Sequence, residues 1–118
     1  MVWDGTNAER SRAEMMMRDG LARPGVLEGN KDYLTHVGGG CVAACGVGAI
    51  VVSHFDGNLK KAHKALMGTT YETKPQLVSK LTGLPERLLF QIDLANCTGL
   101  TADEIATELV ENRQRAAA

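Results

Sequence analysis

Apolar residues recur along this chain at intervals of three and four, the spacing that places them on one face of a helix. Ala13, Met16, Met17, Gly20 and Leu21 form the first such stripe, and Met15 lies off it. Ahead of the stripe, Thr6 and Glu9 have the spacing of a capping box, in which hydroxyl and carboxylate each satisfy an orphan backbone N–H. The pattern predicts a helix to about Asp19, with Gly20 as its left-handed stop. "ARPGVLEGNKD" is rich in turn formers and reads as a loop up to about Asp32. Asn58 caps "NLKKAHKALMG", which stops at Gly68; Leu59, Ala62, His63 and Leu66 line its inner face, and Lys60, Lys61 and Lys64 face water. Thr73 caps "KPQLVSKLT", with Pro75 tolerated in the first turn and Gly83 as the stop. "PERLLFQIDLAN" restarts at once behind Pro85 and ends before Gly99. A second capping box, Thr101 with Glu104, opens a last helix whose stripe is Ala102, Ile105, Ala106 and Leu109. The ends, 1–5 and 112–118, are expected to fray.

Between the first loop and Asn58 lies "HVGGGCVAACGVGAIVVSHF", where apolar residues run without a polar face. It is placed as a helix from Lys31 or Gly40 to the neighbourhood of Ser53, with the triple glycine as a flexible entry; only "AIVVSH", 49–54, also reads as a strand. On a helical wheel Gly40, Cys41, Ala44, Cys45, Gly48 and Ala49 share one half, and Val42, Val47, Ile50 and Val51 most of the other. Such a helix is buried all round, and its small half admits a close neighbour. Cysteines there act as small hydrophobes. A zinc site needs four ligands, and only Cys97, His36, His54 and His63 remain to complete one. A Cys41–Cys45 disulfide is disfavoured because helical i, i+4 side chains run nearly parallel. A Cys41 nucleophile at a helix N-terminus would need a later histidine as base, and His63 sits on an apolar face.

Composition narrows the core chemistry. Aromatic residues supply 4% of the 118 positions within an apolar fraction of 44%, so the interior is built from aliphatic residues and methionine, which favours helix packing over a sandwich of sheets. A net charge of −1 exerts no global pull on nucleic acid or anionic membrane. The odd cysteine count and an N-terminus without a secretory leader point to a reducing, cytoplasmic compartment. The apolar stretch from Val37 to Val52 is too short and too glycine-rich for a membrane span.

The "CVAACGVGA" segment and the tail "IDLANCTGLTADEIATEL" resemble small uncharacterised helical proteins of actinobacteria and their phages. Asn96, Thr101, Glu104 and Ile105 match, Cys97 stands where aspartate is usual, and the likeness covers about two-thirds of the chain. It implies a phage or prophage origin and carries no activity with it. Locally, "LVSKLTGLPERLLFQI" resembles the helix-turn-helix of MerR-type regulators, matching at Val78, Ser79, Gly83, Leu84, Leu89 and Ile92. Six Lys or Arg against two Glu between Asn58 and Arg87 suit phosphate contacts. The Arg-Tyr-Tyr continuation and wing of those regulators are missing.

These readings converge on a single all-α domain over 1–118, a compact bundle of five or six short helices around a buried Gly/Ala/Cys-rich central helix. The function expected of it is non-catalytic protein–protein binding, to a host protein if the phage resemblance holds. Met15, Leu88 and Phe90, which the stripes leave outside the core, are the contact candidates. The alternative is a helix-turn-helix DNA binder over 75–96, dimeric, using Lys60, Lys61, Lys64, Arg87 and Gln91. No catalytic residue, cofactor, metal or membrane partner is assigned.

Overall fold

The computed structural model describes residues 2–29, 33–67 and 73–117, with side chains through Glu111. Within them lie six helices, α1 (Asn7–Ala22), α2 (Gly46–His54), α3 (Leu59–Met67), α4 (Lys74–Thr82), α5 (Glu86–Cys97) and α6 (Ala102–Ala117). Three strands precede α2: β1 (Val26–Glu28), β2 (Leu34–Gly38) and β3 (Cys41–Ala44). The all-α expectation is therefore corrected, because the strands form a mixed sheet in the order β1-β3-β2, with β1 parallel and β2 antiparallel to β3.

The chemistry of the glycines explains this correction. Gly38, Gly39 and Gly40 have φ of 97°, 63° and 78°, a region in which a Cβ is strained, so they form a hairpin turn and not the entry to a helix. Beyond the turn, Val42 and Ala44 are buried while Cys41 and Ala43 are half-buried, which is strand alternation written in small residues. Cys41–Ala44, expected as the first turn of the central helix, is extended, and the helix proper begins at Gly46. From Gly46 to Val52 it is buried on every side, as expected of a segment without a polar face. The segment 49–54 is helical throughout.

The capping signals locate the other helices. Thr6 with Glu9, Thr73 with Gln76, and Thr101 with Glu104 exchange reciprocal side-chain-to-backbone bonds, and Asn58 accepts from the Lys61 N–H. Ala102, Ile105, Ala106 and Leu109 are buried, as their stripe requires. Gly83 ends α4 in the left-handed conformation, with φ 78°. Gly68, expected to end α3, lies outside the described residues. Helix α6 continues to Ala117, beyond the point at which fraying was expected.

Gly20 does something other than stop α1, which runs on to Ala22. A Cβ at Gly20 would stand 1.9 Å from the Ala49 carbonyl oxygen, so the glycine is where α1 and α2 touch backbone to backbone. Gly48, on α2, meets the Tyr33 carbonyl oxygen in the same way, at 1.8 Å from its would-be Cβ. Gly20→Ala would gain about 1 kcal/mol in helix propensity. The clash is with backbone and not with a yielding side chain, so overpacking at the upper end of its range, about 3 kcal/mol, outweighs that gain. We expect Gly20→Ala to lower unfolding free energy by about 2 kcal/mol in urea denaturation; a variant more stable than wild type would show that the helices are not in backbone contact.

Candidate functional site

The two cysteines of the glycine-rich stretch are separated by the sheet–helix junction. Cys41 is a half-buried strand residue, so the expected helix N-terminus that would activate its thiol is absent. Cys45 is the N-cap of α2, and its Sγ accepts from the Gly48 N–H at 3.4 Å. A helix N-terminus favours a thiolate, but burial opposes it and is the larger influence, pushing the Cys45 thiol up to about 11. Cys97 is exposed at the end of α5, and all three cysteines are free. No group of three or more His, Cys, Asp or Glu is placed to hold a metal ion among the described residues.

The expected contact residues do not gather in one place. Met15 is 65% exposed on α1, where Ala8, Ser11, Arg12, Met16, Asp19 and Ser53 complete a shallow groove. Phe90 is 56% exposed on the outward side of α5, with Leu94 one turn on at 49%. Leu88 is fully buried, which corrects its assignment to the surface. Helix α5 packs against α2, α4 and α6 together, so it buries a broad arc comprising Leu88, Leu89, Ile92, Ala95 and Asn96. A stripe read for one neighbour is too narrow there.

Helices α4 and α5 and the turn Gly83–Pro85 make a helical hairpin, braced by the Ser79 hydroxyl donating to the Leu84 carbonyl at 2.6 Å. Its outward face is not bare. The Asp4 N–H donates to Gln91 Oε1 at 2.8 Å, and Gln91 Nε2 donates to the Val2 carbonyl at 3.1 Å. The Arg10 guanidinium, itself buried, donates to the carbonyls of Trp3 and Gly5, and Trp3 belongs to the core. Residues 2–5, expected to fray, are thus a docked strap across α5; Met1 lies outside the described residues. Arg87 is exposed beside Glu86, while Gln91 is committed to the strap. Lys60, Lys61 and Lys64 are exposed on α3, so the five DNA-contact candidates fall on two separate helices.

One depression gathers polar chemistry from distant parts of the sequence. His36, Lys60, His63, Lys64 and Met67 line a hollow of about 630 Å³. His36 pairs with Val42 across the hairpin, so it extends the face carrying Leu34, Val42 and Ala44 beyond the buried core. The next residue, Val37, is the extra residue of a bulge at the hairpin's end. The His36 and His63 rings meet with centroids 4.5 Å apart and planes tilted by 50°. Reading the sequence placed His63 on an inner face and gave His36 no role; the residues are 27 positions apart and no local signal joins them.

Asn96 is buried and polar. Its Oδ1 accepts from the Gly46 N–H at 2.7 Å and its Nδ2 donates to the Leu100 carbonyl at 2.7 Å. Tyr33 donates its hydroxyl to Asp93 at 2.8 Å, and burial followed by this bond pushes its phenol well above the usual range.

No family model, curated protein or solved structure matches the chain. No helix among the described residues is long and apolar enough to cross a membrane.

Thiol burial sets an order of reactivity: Cys97 should react with a disulfide reagent first, Cys41 more slowly, and Cys45 only on unfolding. Rapid labelling of Cys45 in the native protein would contradict its burial. Cys45 and Tyr33 both hold their protons more tightly when folded, so their stabilisation is complete below the unfolded thiol value, about pH 8.5, and is lost as pH rises from there. The urea midpoint should fall as the pH approaches 11, the region of the folded thiol; a midpoint that rises across that window would reverse the assignment.

Proposed function

We propose that the protein is a binding module for another protein, engaging an apolar contact face of its partner through the outward side of α5. The observation that carries this reading is the exposed pair Phe90 and Leu94, one helical turn apart on a helix whose opposite side is packed into the core. Arg87 stands one turn before them and supplies an ionic end to an otherwise apolar ridge. An aromatic residue and an arginine on one face are side-chain types enriched at protein interfaces, and Leu94 adds apolar area beside them. The strap holds α5 in place at Gln91, so the backbone beneath the ridge is ordered before a partner binds. The resemblance to phage-encoded proteins makes a host protein the partner to seek first. Met15 belongs to a separate groove on α1 and is not part of this ridge.

The helix-turn-helix reading draws support from the hairpin itself, with its left-handed Gly83 and exposed Arg87. It is the weaker reading, because Gln91 is engaged with the strap and the lysines of α3 lie on another element.

The test is capture from a bacterial lysate by tagged wild type, Phe90→Glu and Met15→Glu, with and without nuclease, alongside circular dichroism melts. We expect a stoichiometric protein that survives nuclease with wild type and Met15→Glu, and is lost with Phe90→Glu at an unchanged melting temperature. Unfolding by Phe90→Glu would return that residue to the core and end the proposal. Recovery of nucleic acid instead, weakened by Arg87→Ala in a sequence-dependent way and by Lys60→Ala on all DNA, would establish the helix-turn-helix reading in its place.

A further inference from the structure

We propose that the hollow between the β2–β3 hairpin and α3 is a binding site for a small phosphate monoester carrying a flat apolar body. It is a second site, independent of the α5 ridge. Lys60 and Lys64 stand one turn apart on the same side of α3 with His63 between them, and His36 reaches the same hollow from β2. Among the described residues that line it there is no carboxylate. Two lysines and two histidines therefore share one lining, with no counter-charge among its described residues, which is complementary to an anion. A metal ion is the wrong occupant: the lysines repel it, and the described lining residues supply two nitrogen ligands of the usual kind, short of the four a zinc site takes.

The rest of the lining specifies the body of the ligand. Met67 is 70% exposed at the rim, and a thioether side chain on a flexible stem adapts to flat apolar surface. The imidazoles, tilted by 50° at 4.5 Å, add planar faces as well as N–H donors. At about 630 Å³ the hollow is sized for a small organic molecule and far larger than one phosphate needs. The fold explains why the residues meet there. The Gly38–Gly40 turn and the bulge at Val37 end the hairpin just past His36, and the Asn58 cap sets the start of α3, from which Lys60, His63, Lys64 and Met67 follow at helical spacing.

The experiment is a titration of isotope-labelled full-length protein with 1-naphthyl phosphate, followed by amide chemical shifts, with inorganic phosphate and 1-naphthol as separate arms. We expect saturable shifts centred on His36, Lys60, His63, Lys64 and Met67, with weaker binding of inorganic phosphate and of 1-naphthol. Lys60→Gln and Lys64→Gln, both exposed and remote from the core, should each weaken 1-naphthyl phosphate about tenfold, the loss of one charge-assisted hydrogen bond. Phe90→Glu should leave this binding unchanged, so the site stands or falls separately from the α5 ridge. The absence of saturable shifts, shifts centred elsewhere, or unaltered affinity in Lys60→Gln/Lys64→Gln would overturn the proposal. So would equal affinity for inorganic phosphate, which marks an adventitious ion only, or equal affinity for 1-naphthol, which leaves the cations without a role.

Discussion

Helix α2 lies closer to its neighbours than side chains allow. A Cβ on Gly20 or on Gly48 would fall inside the contact distance of a backbone carbonyl, that of Ala49 in one case and of Tyr33 in the other. On Gly46 it would meet Met17, Ile92 and Asn96 at about 3 Å. Three glycines thus fix the separation of α2 from α1, from the residue that leads into β2, and from α5. The broad contact of α1 on α2 is built on the first of them. Close packing multiplies many weak dispersion contacts, and a gap of half an ångström forfeits a quarter or more of each. With few aromatic residues to fill space, near approach of backbones is the way this chain reaches interior density.

Burying a helix on all sides also buries its N-terminus, where the first N–H groups have no partner within the helix. Two side chains answer this. Cys45 takes the Gly48 N–H, and Asn96 takes that of Gly46 while donating to Leu100. A buried amide left without a partner costs about 1–3 kcal/mol, so Asn96 couples the start of α2 to the end of α5 with an energy comparable to a large apolar contact. The same dry surroundings decide the state of Cys45. The positive end of α2 favours a thiolate, yet desolvation is stronger, and the group remains a neutral cap.

The helices were legible because their signals are local. Thr6 with Glu9 and Thr101 with Glu104 identify starts within four residues, and the α6 stripe recurs at spacings of three and four. The sheet was not legible, for a physical reason. Its strands are three to five residues long, the inward positions of β3 are one valine and one alanine, and β1 finds its parallel partner sixteen positions further on. A glycine also means different things in different company. Gly83 stops a helix, Gly20 permits a helix contact, and Gly38–Gly40 turn a hairpin, a distinction that depends on neighbours remote in sequence. The candidate sites divide in the same way. Exposure of Met15, Phe90 and the α3 lysines could be read from periodicity, whereas the burial of Leu88 depends on three helices meeting α5 at once. The approach of His36 to His63 depends on the hairpin, which periodicity did not reveal.

The strap across α5 bears on which macromolecule that helix can meet. For Gln91 to read a base edge it must surrender its bonds to Val2 and Asp4, and those residues flank Trp3, which is almost wholly enclosed. That exchange forfeits two hydrogen bonds worth about 1 kcal/mol each. A good base contact returns about 1–3 kcal/mol, so the exchange gains little at that position. Phe90 and Leu94 require no such release, since they already face outward with the strap in place. A partner that covers them gains the apolar area directly, and the strap then stiffens the surface it meets.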